Sequence, residues 1–199
     1  MEEFQSITRF YIESKLTNKM LSVPRIISSA MVLGAAIFSI IIFYLYSKNP
    51  NEDFVLPEVS QINTLIYVLI ALGLLVYSAF FYLPNFLLNP QYLKNRLTKG
   101  LKDNQGNAIT DPIDKLLNID LTFMIVRLAM LESIALFAMV ILFLAASNGQ
   151  LNFEPSLWLL LLPLVIQAAF TFNNYLPKIK YVDRIETKIL APLKEQQLG

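Results

Sequence analysis

The stretch "RLAMLESIALFAMVILFLAAS", residues 127–147, decides the fold class of this chain. It is apolar over about 20 residues, the length of helix that crosses the roughly 30 Å hydrocarbon core of a bilayer. A single carboxylate, Glu132, interrupts its apolar part. The stretch therefore predicts a membrane-spanning helix that carries one acidic side chain.

Three further segments have the same character. The whole chain is 55% hydrophobic and 16% charged, whereas soluble domains average about a quarter charged residues. Backbone polar groups in lipid must find their hydrogen bonds within the segment, so each span is expected to be an α-helix. We therefore predict an all-α membrane protein with transmembrane helices at residues 26–46, 64–83, 121–146 and 157–176.

Basic residues are segregated to one side of these spans. The segments before span one, between spans two and three and after span four hold 15 of the 16 Lys and Arg residues, counting Arg127 just inside span three. The positive-inside rule therefore predicts a multi-pass protein of a bacterial-type cytoplasmic (inner) membrane, with its N-terminus and C-terminus in the cytoplasm. The two opposite loops hold Lys48, Glu52, Asp53, Glu58 and Glu154.

The polar segments divide the chain into five regions. Helical spacing of apolar side chains predicts amphipathic helices in the first and the last of them. The pair Asp111-Pro112 predicts a helix start, with Asp as the cap and Pro at the first helical position. The regions are a cytoplasmic or interfacial segment (1–25), a two-helix transmembrane unit (26–88), a cytoplasmic connecting loop (89–120), a second two-helix unit (121–177) and a cytoplasmic tail (178–199).

The two transmembrane units resemble each other. When residues 26–45 are aligned on residues 125–144, seven of the twenty positions are identical, and the second helix of each unit ends in the tripeptide YLP. This predicts a duplicated two-helix unit. Because each unit has an even number of spans, both copies would have the same orientation in the membrane.

The composition excludes several kinds of chemistry. The chain has no Cys and no His, which removes thiol nucleophiles, a Ser-His-Asp triad and the usual zinc ligands. It has no phosphate-binding glycine motif, and a net charge of +1 gives no signature for nucleic acid. We therefore expect no enzyme activity, no cofactor and no nucleic-acid partner. A membrane enzyme would depend on carboxylates clustered near the cytoplasmic side, where the grouped acids are Asp111, Asp114 and Asp120.

Glu132 is the centre of the candidate site. A charged side chain inside the membrane costs at least about 2.5 kcal/mol, so such residues pair with another group, face water or carry a proton. Span four has a polar stripe at Gln167, Thr171 and Asn174, and Gln167 is expected at a depth close to that of Glu132, with Ser133 beside them. Arg127 is expected to reach the membrane surface or to bond the Asn174 end of span four.

Two interpretations of Glu132 remain open. In the first, Glu132 hydrogen-bonds Gln167 or a partner subunit and fixes the packing of the helices. In the second, it binds and releases a proton or a cation within the membrane.

A local resemblance favours the second interpretation. The sequence "AMLESIALFAMVILFL", residues 129–144, resembles the carboxylate-bearing helix of the proteolipid subunit c of rotary ATPases, with Glu132 at the ion-carrying position and Phe137 at the following aromatic. The chain lacks the glycine-rich partner helix of that family. It also resembles small uncharacterised bacterial multi-span membrane proteins, for which no activity is implied.

These patterns favour one function and leave an alternative. We expect an integral membrane structural or accessory subunit of a larger membrane complex, in contact with the bilayer and with other subunits or copies of itself. The alternative is a small proton- or cation-coupled carrier that uses Glu132.

Overall fold

The computed structural model describes residues 4, 6–48, 59–98, 100–102, 106 and 108–198. For residues 59, 60 and 196–198 it describes the backbone only. In these segments the secondary structure is helical, and the one β-type pairing is an isolated bridge between Lys102 and Ala108. The acidic loop residues Glu52, Asp53 and Glu58 lie outside the described segments.

The predicted all-α fold with four spans is confirmed. The helices are α1 (Arg9–Lys15), α2 (Ser22–Lys48), α3 (Val59–Leu87), α4 (Pro90–Thr98), α5 (Pro112–Ser147), α6 (Leu162–Tyr175), α7 (Lys178–Arg184) and α8 (Ala191–Leu198). A 3₁₀ segment, Pro155–Leu161, precedes α6, and a π-helical segment, Ile185–Leu190, joins α7 to α8. The segments long and apolar enough to cross a membrane are α2, Gln61–Leu87 of α3, α5 and Pro155–Tyr175.

The start of α5 has the predicted cap. The carboxylate oxygen Oδ1 of Asp111 accepts hydrogen bonds from the backbone N–H groups of Ile113 at 2.7 Å and Asp114 at 3.4 Å. Pro112, which has no N–H, occupies the first helical position, where none is needed. At the other end of α5, Gly149 takes a left-handed backbone (φ +69°) that ends the helix.

The chain divides into two compact units. The first, which we call the flanking unit, consists of residues 1–27, 80–127 and 172–199. The second, which we call the span unit, consists of residues 28–79 and 128–171. Helices α2, α3, α5 and α6 each contribute to both units.

The flanking unit brings together three regions that the sequence predicted as separate. The apolar residues of the N-terminal segment and of the tail are buried in a shared core, so the amphipathic faces pack on protein. The predicted connecting loop also contains α4 and the first nine residues of α5, because the Asp111 cap starts that helix well before the apolar stretch. Buried core residues include Ile12, Leu16, Leu93, Leu116, Val182, Ile185 and Ile189.

The span unit is built around α5. Half (50%) of the apolar window of α5 is buried, against 22%, 17% and 22% in the other three spans. Ring stacking adds to the apolar packing: the Phe38 and Phe143 centroids lie 5.7 Å apart, and those of Phe43 and Trp158 lie 4.8 Å apart. Helix α5 is therefore the central helix of this unit.

Candidate functional site

Glu132 lies on α5 in the span unit. Its side chain is partly exposed, and it forms no hydrogen bond or ion pair with any described residue. The neighbouring Ser133 is exposed, and its hydroxyl donates to the backbone carbonyl of Met130 at 2.8 Å. The only carboxylate in the apolar part of this span therefore has no partner in the described part of the chain.

Gln167 and Thr171 belong to the same unit and are fully buried. The Thr171 hydroxyl donates to the backbone carbonyl of Gln167 at 2.8 Å, one turn earlier on α6. The Gln167 side-chain Nε2 and Oε1 have no hydrogen-bond partner among the described residues. The expected hydrogen bond between Glu132 and Gln167 is thus absent, because Glu132 stays at the partly exposed side of α5 while Gln167 is enclosed.

Arg127 and Asn174, the other two candidate residues, belong to the flanking unit. The Arg127 guanidinium lies over aromatic rings, 3.9 Å from the Phe80 centroid and 5.3 Å from that of Phe123. Cation–π contacts of this kind stabilise a partly desolvated guanidinium. The backbone carbonyl of Asn174 accepts a hydrogen bond from Arg184.

The sequence did not predict the main polar cluster of the flanking unit. Arg184 on α7 forms a bidentate ion pair with Asp120 on α5, with Nε–Oδ1 at 2.9 Å and Nη2–Oδ2 at 2.8 Å. Its guanidinium also lies 4.6 Å from the Tyr175 ring centroid and 4.5 Å from that of Tyr181. The Arg184 side chain is 14% exposed and that of Asp120 only 2%. Bidentate geometry is the strong form of this interaction.

Electrostatics in this cluster favour a permanently charged arginine. Burial by itself would lower the pKa of Arg184, but the hydrogen bonds and charge of Asp120 outweigh burial and raise the pKa above its ordinary value. The cluster is therefore an internal cross-link between α5 and α7. Two of the three grouped acids have structural roles: Asp111 caps α5 and Asp120 pairs with Arg184, whereas the side chain of Asp114 is exposed.

Tyr181 completes the cluster and gives it a pH dependence. Its hydroxyl donates to the backbone carbonyl of Tyr175 at 2.6 Å. Burial, partly offset by the charge of Arg184, raises the pKa of Tyr181 to about 12 from an ordinary value of 10.0. The folded protein therefore stabilises the neutral form of the Tyr181 phenol relative to its ionised form.

Tyr181→Phe should change the alkaline stability profile. Below pH 10 the variant should be about 1 kcal/mol less stable, because it loses one hydrogen bond. Between pH 10 and 12 the unfolded tyrosine releases its proton while the folded one keeps it, so the wild type should lose about 3 kcal/mol that the variant keeps. Unfolding in detergent, followed by circular dichroism from pH 9 to 12, should give two curves that cross. Parallel curves would contradict this assignment.

The described residues provide no metal site: no three Asp or Glu side chains in this part of the chain come close enough to share an ion.

The chain matches no protein family, no curated protein and no solved structure. The fold and composition define the class, an all-α protein with four helices suited to a bilayer.

Proposed function

We propose that this protein is an accessory subunit of a larger membrane assembly, without catalysis of its own. The environment of Glu132 supports the proposal. This carboxylate lies in an apolar span, it is partly exposed, and it has no partner among the described residues. We further propose that the membrane is of the bacterial cytoplasmic type and that the flanking unit lies in the cytoplasm. The distribution of Lys and Arg supports this orientation.

The argument from Glu132 is energetic. In lipid, a carboxyl group that finds no hydrogen bond costs several kcal/mol, as other unsatisfied polar groups do. A side chain enclosed by its own bundle could use an internal partner or internal water. Glu132 is partly exposed instead, so a group from outside the chain is the simplest source of its hydrogen bonds.

A second feature agrees with an assembly. In the spans other than α5, only 17–22% of the apolar window is fully buried by the chain. Among membrane helices, association depends on close packing and on polar contacts more than on apolar area. The exposed apolar side chains of these spans leave room for partner helices, and Glu132 is the polar contact that would select one.

We also propose that the chain arose by duplication of a two-helix unit. In both halves the boundary between the flanking unit and the span unit falls at nearly equivalent points: after residues 27 and 127 in the first helices, and after residues 79 and 171 in the second. The two YLP tripeptides differ in their surroundings: Tyr82 is 72% exposed within α3, whereas the equivalent Tyr175 is buried at the end of α6. The copies have therefore diverged at this end.

Glu132→Leu should release the partners from the protein. We expect mild detergent extracts of native membranes to yield stoichiometric companion chains with the wild type, detectable by mass spectrometry. Glu132→Leu should lose most of them, since leucine has no hydrogen-bonding group, and Glu132→Gln should keep them, since an amide both donates and accepts. Glu154→Gln, which removes a carboxylate before the 3₁₀ segment, is the matched control. Companions retained equally by all variants would contradict the role of Glu132.

A carrier is the second candidate, and Gln167 favours it. A buried amide with two unpartnered polar atoms normally binds water or another polar group. Together with Glu132, it could support proton or cation transfer through the span unit. The purified protein would then move protons or cations across liposomes alone, and Glu132→Gln would abolish that flux. The same variant should leave an assembly intact, which separates the two functions.

A further inference from the structure

Helix α3 changes character along its length. In its middle it exposes aliphatic side chains such as Leu74 and Leu75, and near its end it exposes the aromatic side chains of Phe81, Tyr82 and Phe86, each 72–74% exposed. Membrane helices commonly carry aromatic side chains at the level of the lipid headgroups. The end of α3 is therefore expected at the boundary between hydrocarbon and water.

Basic residues without acidic neighbours in the sequence follow at once. Residues 59–102 contain no Asp or Glu, whereas residues 94–102 hold three Lys and one Arg. Among the described residues, none forms an ion pair with Lys94, Arg96 or Lys102. These three side chains differ in this respect from the arginines of the same unit that the flanking helices neutralise with carboxylates.

The connection between the helices keeps the basic residues close to the end of the span. Only two residues separate Leu87, the last residue of α3, from Pro90, the first of α4. Three Cα–Cα steps hold these two positions within about 11 Å of each other. Leu93 fixes α4 in the core of the flanking unit, while Lys94 is exposed and Arg96 partly exposed. An anionic membrane surface attracts basic side chains over about this distance, the Debye length at roughly 0.1 M salt.

We propose that this part of the flanking unit binds the anionic headgroups of membrane lipids. We call it the α3–α4 corner. The aromatic side chains pack among the lipids at headgroup level, and the basic side chains contact the phosphates. The corner consists of Phe81, Tyr82, Phe86, Lys94, Arg96 and Lys102. The proposal depends on neither Glu132 nor a partner subunit.

Two observations favour lipid as the occupant. The corner continues a helix whose apolar side chains already face the bilayer, and its charge is opposite to that of the headgroups. Arg96 uses Nη1 to donate to the Tyr92 hydroxyl at 3.2 Å, and its other N–H groups have no partner among the described residues. A guanidinium group with free N–H groups suits a phosphate, which it can bind in a bidentate manner.

The helix packed against α4 does not cancel this charge. Helix α8 contacts α4, and its charged residues are one Lys194 and one Glu195. An acidic protein segment would match the positive charge of the corner as well as lipid does. The exposed aromatic side chains favour lipid, because they mark the level at which headgroups lie.

Quenching of a tryptophan by brominated lipids tests the proposal. The chain has a single tryptophan, so Trp158→Phe combined with Phe86→Trp places the only reporter at the corner. The full-length protein is reconstituted in liposomes, and quenching by brominated phosphatidylglycerol is compared with quenching by brominated phosphatidylcholine. We expect the anionic lipid to bind at least about fivefold more tightly, the value of one basic side chain near an anionic surface. Equal binding of the two lipids would overturn the proposal.

Charge variants locate the preference. In the reporter protein, Lys94→Gln combined with Arg96→Gln should lower the preference for anionic lipid by about fivefold or more. Lys48→Gln, at the far end of α2, is the matched control and should leave it unchanged. In the reporter protein without these changes, 1 M salt should also lower the preference, because the Debye length falls to about 3 Å.

Three outcomes would overturn the assignment. The first is a preference that neither the double variant nor salt lowers, and the second is an equal loss in Lys48→Gln. The third is equal binding of the two lipids together with an acidic protein that leaves the double variant in extracts of native membranes, which would show that the corner binds protein.

Discussion

Asp120→Ala should destabilise the protein by about 3–5 kcal/mol, the usual cost of removing one member of a buried ion pair. The variant leaves the Arg184 guanidinium, which is 14% exposed, without the carboxylate that holds it in a bidentate pair. The loss should appear as a lower midpoint in thermal or denaturant unfolding of the detergent-solubilised protein, followed by circular dichroism.

Two variants define what this loss means. Asp120→Leu combined with Arg184→Met should recover most of the stability, because removing both charges also removes the cost of burying them. Arg9→Ala should cost far less than Asp120→Ala, since Arg9 is 44% exposed and its ion pairs with Glu13, Asp183 and Glu186 are screened by solvent. If Asp120→Ala and Arg9→Ala had equal effects, the pair with Arg184 would not be the structural cross-link that we infer.

The parts of the fold that depend on local sequence could be predicted. An apolar run of about 20 residues becomes a spanning helix whatever surrounds it, because the bilayer requires internal backbone hydrogen bonds. The Asp111 cap was equally predictable, since it joins groups two and three residues apart. Each of these features depends on neighbours in the sequence.

Contacts between distant segments could not be predicted in the same way. Asp120 and Arg184 are 64 residues apart in the sequence. In the sequence alone, neither can be distinguished from an ordinary surface charge. The amphipathic patterns of the N-terminal segment and the tail predicted helices with an apolar face. The same pattern occurs whether that face packs against lipid or against protein. The candidate site had the same limit: depth along a span predicted that Glu132 and Gln167 would meet, and depth does not give the direction of a side chain around the helix.

Ile12→Ala should separate the two possible roles of the N-terminal segment, and we expect a loss of about 2–5 kcal/mol, typical of a truncated core side chain. Ile12 on α1 is fully buried in the core of the flanking unit. The α1 region also accepts hydrogen bonds from the C-terminal helices, from Lys178 to the carbonyl of Glu13 at 2.9 Å and from Lys194 to the carbonyl of Ile7 at 2.8 Å. A cavity at Ile12 should therefore loosen both ends of the chain, and trypsin should cleave the tail sooner.

Phe10→Ala on the same helix is the matched control. Phe10 is 80% exposed, so its truncation should change the unfolding free energy by no more than about 0.5 kcal/mol. A helix that only rested on the membrane would give the opposite order, because its exposed aromatic would be the anchor and Ile12 would matter little to the unfolding of the rest. The difference between the two variants thus measures whether the N-terminal segment is part of the folded flanking unit, and a larger loss for Phe10→Ala would contradict the core assignment of α1.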